Sequence, residues 1–372
     1  MADSLWWVIA DVIWAGPGRW LGPSALPMRG PVAAGGDPVP PDELPAGART
    51  LEYEGMLVPG LQDAHVHSGL IDLPALRRGG ISAALDLGGV PDQVGLLRRR
   101  SLEPGSDLPR LEMVGAFLTA PGGYPSDRSW AAPGSWREVH SAEDAEAAVS
   151  EQVTAGAEAI KVTINLDAGP VLAPAVLAAL VTAAHAAGRP VIAHTEGAVE
   201  DANAVQMAVT AGVDVLAHTP WTEELDPGLV RDCAVQTTWI STLAIHGRSG
   251  ALTVAMDNLA RFLSHGGSLR YGTDLGNGNL PLGVNSQETL ALQTLGLSVD
   301  EVLATMTGPM LGTDSMRGIG SMRGIGPESR FVAGVAPGLL VNPLEPQMRV
   351  VGPFLRQTQV FTVQDIKDME QW

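Results

Sequence analysis

Residues 159–195 read AIKVTINLDAGPVLAPAVLAALVTAAHAAGRPVIAHT. An apolar run (159–165) is followed by an Ala- and Leu-rich segment at helical spacing (171–187), a Gly, and a second apolar run (190–195). That order predicts strand, helix and parallel strand, the unit from which sheets covered by helices are built. The same alternation extends in both directions. Further strands are predicted at 62–67, 81–87, 111–118, 215–218, 237–245 and 269–274, and helices at 142–154, 198–211 and 252–265. Eight such units fit a closed α/β architecture, the (β/α)8 TIM barrel, better than an open doubly wound sheet.

Upstream of the repeat, apolar pieces at 6–14 and 50–57 are separated by a Gly- and Pro-rich stretch, which predicts a small β element with long loops. Residues 121–139, rich in Gly, Pro, Ser and Trp, form a long connection after the third strand. In a barrel this connection lies over the mouth, where reaction chemistry sits. The words SMRGIG at 315–320 and 321–326 are a local tandem duplication, too short a series for a solenoid.

The chain has 372 residues, 45% of them hydrophobic and 17% charged, a globular balance with ample material for a core. Its net charge of −18 disfavours nucleic acid and anionic membranes as partners. Cys233 is the single cysteine, which excludes internal disulfides and thiolate clusters. Acidic residues interrupt the apolar start, and no apolar run reaches the roughly 18 residues that span a bilayer. The expectation is a cytoplasmic protein acting on a small molecule. A homo-oligomer is compatible with it.

Chemistry-bearing residues collect at predicted strand ends: DAHVH at 63–67, IKVTIN at 160–165, IAHT at 192–195, LAHT at 216–219 and YGTD at 271–274. Side chains at i and i+2 of a strand share a face, so His65 and His67 point together toward the barrel mouth and can chelate one metal ion. One such pair is weak evidence, since eight histidines in 372 positions give roughly 0.2 by chance. The recurrence is stronger, because His194, His218 and Asp274 occupy equivalent positions on the fifth, sixth and eighth strands.

Lys161, one of only two lysines, sits between Ile160 and Val162. As an isolated buried cation it would bear a large desolvation cost. A neutral amine can instead take up carbon dioxide as a carbamate, whose two oxygens bridge two divalent cations. A buried ion pair between Lys161 and Asp274 in a metal-free protein is the competing reading.

Taken together, these stretches resemble the amidohydrolase superfamily, in its binuclear branch with a carboxylated lysine. AGVDVLAHTPW at 211–221 is similar to imidazolonepropionase-related and prolidase-like members. The resemblance covers about residues 57–309. It implies that His65, His67 and Asp274 hold one metal, that His194 and His218 hold the second, and that carboxylated Lys161 bridges them. Zinc suits these ligands, with manganese, iron, cobalt and nickel as alternatives.

The resemblance also implies a composite β-sandwich from residues 1–56 and 325–350 beside a barrel of 57–324, with 351–372 as a tail. The leading function is hydrolysis of an amide-like or cyclic C–N bond by a metal-bridging hydroxide, with Asp274 as general base and acid. A heterocycle deaminase using Glu196, a lactonase or phosphoesterase on the same site, and a non-catalytic barrel are the alternatives. Trp130, Trp136 and Trp221 fall in mouth loops and suit an apolar or ring-containing substrate, although interior packing is an equal reading for each. Asp63 and Thr195 are read as orienting groups, and His246 as a structural histidine outside the catalytic set. His140, His185 and His265 are read as helix-terminal or surface groups.

Overall fold

The computed structural model describes residues 5–29, 32–33, 37–103, 105–307 and 331–333. Eight parallel strands follow one another around a ring: Gln62–Val66, Ala83–Asp86, Arg110–Met113, Ile160–Asn165, Val191–Glu196, Val215–Leu216, Thr238–Ile240 and Ser268–Arg270. The first three pair as one sheet and the last five belong to another. Main-chain bonds join the two sheets at both seams. At one, Glu158 N–H donates to Met113 O at 2.8 Å. At the other, Ala64 N–H donates to Tyr271 O at 2.9 Å, Asp274 N–H to His65 O at 2.9 Å and His67 N–H to Leu275 O at 2.7 Å. The ring is therefore closed, and no barrel edge is left unpaired.

Alternation along the strands explains which side chains enter the barrel. Ile160, Val162 and Ile164 belong to the large cluster shared with Leu177, Leu180 and Val181 of the helix Pro174–Ala186, whereas Ala159 belongs to a separate inner cluster with Ala83, Leu85, Ile192, Val215 and Ile240. Lys161 and Thr163 share the face of Ala159, and His194 shares that of Ile192. The inner apolar layer thus closes the barrel floor, and the next residues along each strand deliver polar groups above it.

The covering helices show the matching pattern. Ala142–Ala155 buries Ala145, Ala148, Val149 and Gln152, the i, i+3, i+4, i+7 stripe of a core-facing helix. Ser141 accepts a hydrogen bond from Asp144 N–H at its start, and Gly156 ends it in the left-handed conformation at φ 101°.

Three elements differ from the sequence-based expectation. The third strand divides at Gly115, whose φ of 79° bends the chain, so that Arg110–Met113 pairs with the second strand and Phe117–Thr119 with the fourth. The segment expected as a helix over 198–211 begins with a small hairpin, Ala198–Val199 against Ala202–Asn203. Its helix starts at Ala204, where the Asn203 side chain caps Gln206 N–H. The seventh strand ends at Ile240, because Thr242 turns into the left-handed region at φ 43° and leads into the 3-10 turn Ala244–His246.

Before the barrel, Leu5–Trp14, Trp20–Leu21, Ser24–Arg29, Val32–Ala33 and Thr50–Pro59 form a mixed sheet, to which Phe331–Ala333 adds antiparallel against Thr50–Pro59. Trp6, Val8, Ile13, Leu26 and Met28 make its own core. Trp14 Nε1 donates to Asp300 Oδ1 at 2.5 Å, tying this sheet to the helix Val299–Thr305. The SMRGIG copies, the rest of the expected 325–350 piece and the 351–372 tail lie outside the described residues. No helix among the described residues is long and apolar enough to cross a membrane.

Candidate metal centre

The six strand-end residues converge above the inner apolar layer. The His65 and His218 rings, tilted at 45°, have centroids 4.6 Å apart, those of His65 and His67 lie 5.4 Å apart, and those of His194 and His218 lie 5.1 Å apart. Asp274 Oδ1 is 3.0 Å from His65 Nε2 and 3.3 Å from His67 Nε2. Ligand atoms of His65, His218 and Asp274 all fall within 4.8 Å of one another. Lys161, His65, His194, His218 and Asp274 are all buried.

Each imidazole has one nitrogen committed, which fixes what the other can do. His65 Nδ1 lies 2.8 Å from Ala217 O and His67 Nδ1 lies 3.0 Å from Gly88 O, so both carry the proton on Nδ1 and turn Nε2 to Asp274. His218 Nδ1 meets Thr242 Oγ1 at 3.0 Å, leaving Nε2. His194 is reversed: its Nε2 meets Glu196 Oε2 at 3.1 Å, leaving Nδ1. Asp274 adopts a left-handed backbone, φ 59°, and its Oδ2 accepts from Asn277 Nδ2 at 2.9 Å.

Buried carboxylates hold the ligand-bearing turns. Asp63 accepts from His65 N–H, Thr273 N–H and the Thr273 hydroxyl at 3.0, 3.1 and 2.6 Å, clasping the first strand to the eighth. Asp86 accepts from Ser68 N–H and hydroxyl and from Gly88 N–H, which places the Gly88 carbonyl under His67.

Electrostatics set the protonation states. Burial pushes the His65 imidazolium down to about 4, and burial also lowers His218 and His194, so these rings are neutral at pH 7. Burial acts against the charged His67 too, but its hydrogen bond to Asp274 and the Asp274 charge outweigh that and raise it. Burial opposes ionisation of Asp274, yet the adjoining His65 and His67 imidazoles hold it well below the usual carboxylate range. Burial brings the Lys161 ammonium down to about 7, against the opposing pull of Asp274 and Asp86.

Among the described residues, Lys161 has no hydrogen bond or ion pair. Four imidazoles, a carboxylate and an unpartnered buried amine form a donor set suited to divalent cations, because neutral nitrogens and carboxylate oxygens are what such ions bind. The pair reading of Lys161 with Asp274 finds no contact to support it, since the close partners of the Asp274 oxygens are His65, His67 and Asn277.

Around this centre the structure gathers an aromatic wall. Trp221 lies 5.9 Å from His194 and 5.1 Å from His218, and Trp130 lies 6.5 Å from His67. Trp136 is elsewhere: it sits in the edge strand Trp136–Glu138, in register with Phe117, and takes no part in the ring contacts around the histidines. Two further groups belong to the wall. Tyr124 stacks on His194 at 4.9 Å and 20°, and His246 lies 5.2 Å from Trp221 with a buried, unpartnered Nε2. The sequence offered a signal for His246, its place after the seventh strand. It offered none for Tyr124, whose position depends on a loop held by the Thr163 hydroxyl at 2.7 Å from Tyr124 O.

No family model matches the chain. Uncharacterized proteins of Mycobacterium bovis and Mycobacterium tuberculosis are 30% identical to it over 191 residues, 46% of the chain and 47% of theirs, so the match spans about half the length of these relatives. Among solved structures, Aspergillus niger ochratoxinase superposes with a TM-score of 0.73 at 18% identity, over 97% of this chain and 94% of that one. A Xaa-Pro dipeptidase with methionine in its active site gives 0.73 at 17% identity over 97% and 98%. A putative prolidase from Bifidobacterium longum gives 0.68 at 21% identity over 89% of each. At these identities the likeness establishes the fold: the chain has the barrel-and-sheet architecture of amidohydrolase structures.

Proposed function

We propose that the chain is a metal-dependent hydrolase of the amidohydrolase superfamily that cleaves an amide-like or cyclic C–N bond in a small molecule, with two divalent ions, zinc first among them. The observation that carries this reading is the cluster of His65, His67, His194, His218 and Asp274, together with Lys161, a buried amine within the field of Asp274 that has no hydrogen bond or ion pair among the described residues. His65, His67 and Asp274 would hold one ion and His194, through Nδ1, and His218, through Nε2, the other. Lys161 would join them after addition of its neutral amine to carbon dioxide with loss of a proton. The amide-cleaving names of the structural neighbours, prolidase and Xaa-Pro dipeptidase, agree with this class.

When bound, the ions supply Lewis acidity toward a carbonyl oxygen and a water acidified to near neutrality. The chain's own residues do the rest. His65 and His67 are pre-oriented by the Ala217 and Gly88 carbonyls, so their Nε2 lone pairs need no reorganisation. Asn277 fixes Asp274 by Oδ2 and leaves Oδ1 facing the centre, where it accepts the proton of the attacking water and later returns it to the leaving nitrogen. Trp221, Tyr124 and Trp130 line the approach with apolar surface and exclude bulk water.

Glu196, which a deaminase would use as its acid and base, is already engaged by His194 Nε2 and by Asn165 Nδ2 at 2.6 Å. Both bonds fall on Oε2, and it is Lys161, absent from the deaminase pattern, that favours hydrolysis over deamination. The test is elemental analysis of protein produced with zinc and bicarbonate, combined with a panel of N-acyl amino acids, dipeptides and cyclic amides. The expected result is two equivalents of metal per chain and turnover of at least one C–N substrate class, both lost in Lys161→Ala. Full metal content and activity in that variant would discard the bridging role, and metal-free, inactive wild-type protein would discard the function.

A further inference from the structure

We propose that Arg128 is a specificity-determining residue that receives a carboxylate carried by the substrate, so that this site takes anionic amides with an apolar or aromatic side group. This rests on the hydrolase reading and narrows its substrate class.

Arg128 belongs to the long connection after the third strand, and short-range bonds fix its backbone. Its N–H donates to Pro125 O at 2.9 Å, and its carbonyl accepts from Ala131 N–H at 3.1 Å. From that turn the guanidinium reaches over the ring of Tyr124, 5.7 Å from its centroid, and Tyr124 in turn stacks on His194. The cation therefore stands one aromatic ring away from the candidate metal centre.

What makes it a receptor is that its donors are unspent. A guanidinium offers five N–H groups in a planar fork matched to a carboxylate. Among the described residues Arg128 makes no side-chain hydrogen bond, its buried Nε included. Its one ion pair is Nε to Asp127 Oδ1 at 3.3 Å, with an adjacent carboxylate that is half exposed to water. Among the described residues Glu196 forms no ion pair with the fork, and its Oε2 accepts from His194 and Asn165.

A chain of net charge −18 repels anions at long range, so an anionic substrate needs a discrete cation at the mouth, and Arg128 is placed to be one. Trp130, 6.0 Å from Tyr124 and 6.2 Å from Phe117, supplies the neighbouring apolar wall for the remainder of the molecule.

The experiment is calorimetric titration of the metal-loaded protein with 3-phenylpropanoate and with 3-phenylpropan-1-ol. Neither contains a C–N bond, so the titration reads this subsite even if no amide is hydrolysed. The expected result is that the acid binds roughly tenfold or more tightly than the alcohol, as a charge-assisted bond implies. Arg128→Gln, with unchanged metal content, should abolish that preference, and Arg128→Lys should keep part of it. Equal binding of acid and alcohol by the wild type overturns the proposal. So does a preference that survives in Arg128→Gln, because the carboxylate would then be read by the metal ions. Separately, kcat/KM for N-acetyl-L-phenylalanine should fall in Arg128→Gln while that for its C-terminal amide stays level. Equal falls for both would count against Arg128 as the discriminating group.

Discussion

The two halves of the candidate metal centre are supported in different ways. On the side of the first and eighth strands, His65 and His67 are oriented by main-chain carbonyls, those of Ala217 and Gly88, and the turn that carries Asp274 is clasped by Asp63. On the side of the fifth and sixth strands, His194 and His218 lean on side chains, Glu196 and Thr242. A main-chain carbonyl is not removed by changing a side chain, whereas a supporting side chain is. The first half is therefore built into the fold, and the second is adjustable by single substitutions.

That contrast can be broken at its joint. Lys161→Ala removes the group shared by both halves, and the largest expected effect is loss of both metal equivalents and of all turnover, read by elemental analysis and a kinetic assay. Retention of one equivalent would mean that the two halves bind independently.

Next in size is Thr242→Val, which keeps shape and removes the hydroxyl beside His218 Nδ1. Loss of an outer hydrogen bond of this kind lowers metal affinity about 10- to 100-fold. Competition with a chelator should show one weakened site and one unchanged site, and Thr242→Ser should restore most of the affinity. Equal weakening of both sites would erase the distinction between the halves.

Glu196→Gln should do less, because a glutamine can still accept from His194 through its amide oxygen. A few-fold change in the weaker metal affinity, with unchanged fold by circular dichroism, is the expected outcome. Loss of all activity with metal retained would instead make Glu196 a reacting group.

The smallest effect concerns stability. Glu288 is fully buried, accepts from Ala244 N–H at 2.6 Å, has an unpartnered Oε1, and burial raises its carboxyl to about 7. Between its ordinary value of 4.5 and about 7 the folded chain holds a proton that the unfolded chain has released, so this group's contribution to stability declines as pH rises through that window. Denaturant titrations of metal-loaded protein at pH 5 and pH 7.5 should show a smaller pH difference for Glu288→Gln than for the wild type. An unchanged difference would place the titrating group elsewhere.

Much of the ring was legible in the sequence because a parallel strand buried on both faces leaves a mark of its own. Ala159 to Asn165 alternates inner and outer side chains, and a lone lysine within it stands out. The strand-end histidines were legible for the same reason, since residues two apart on a strand share a face. Breaks in regular structure were not. Gly115 divides an otherwise continuous apolar run, and Asn203 moves a helix start by capping it, both through backbone conformations that hydrophobic periodicity does not encode.

The mouth was the least legible part. Trp130, Trp136 and Trp221 all read as loop aromatics, yet Trp136 lies in an edge strand, while Tyr124 reaches His194, with Arg128 over its ring, through a turn whose shape follows from contacts distant in sequence. A side chain in an irregular loop has no period, and its direction is set only once the barrel exists to support it.

The most direct measurement is a crystal structure of protein prepared with zinc and bicarbonate, with diffraction recorded on both sides of the zinc absorption edge. The account predicts two anomalous peaks, one beside His65, His67 and Asp274 and one beside His194 and His218, with continuous density extending past Lys161 Nζ between them. A cation-free cluster, or metal bound away from these six side chains, would contradict it.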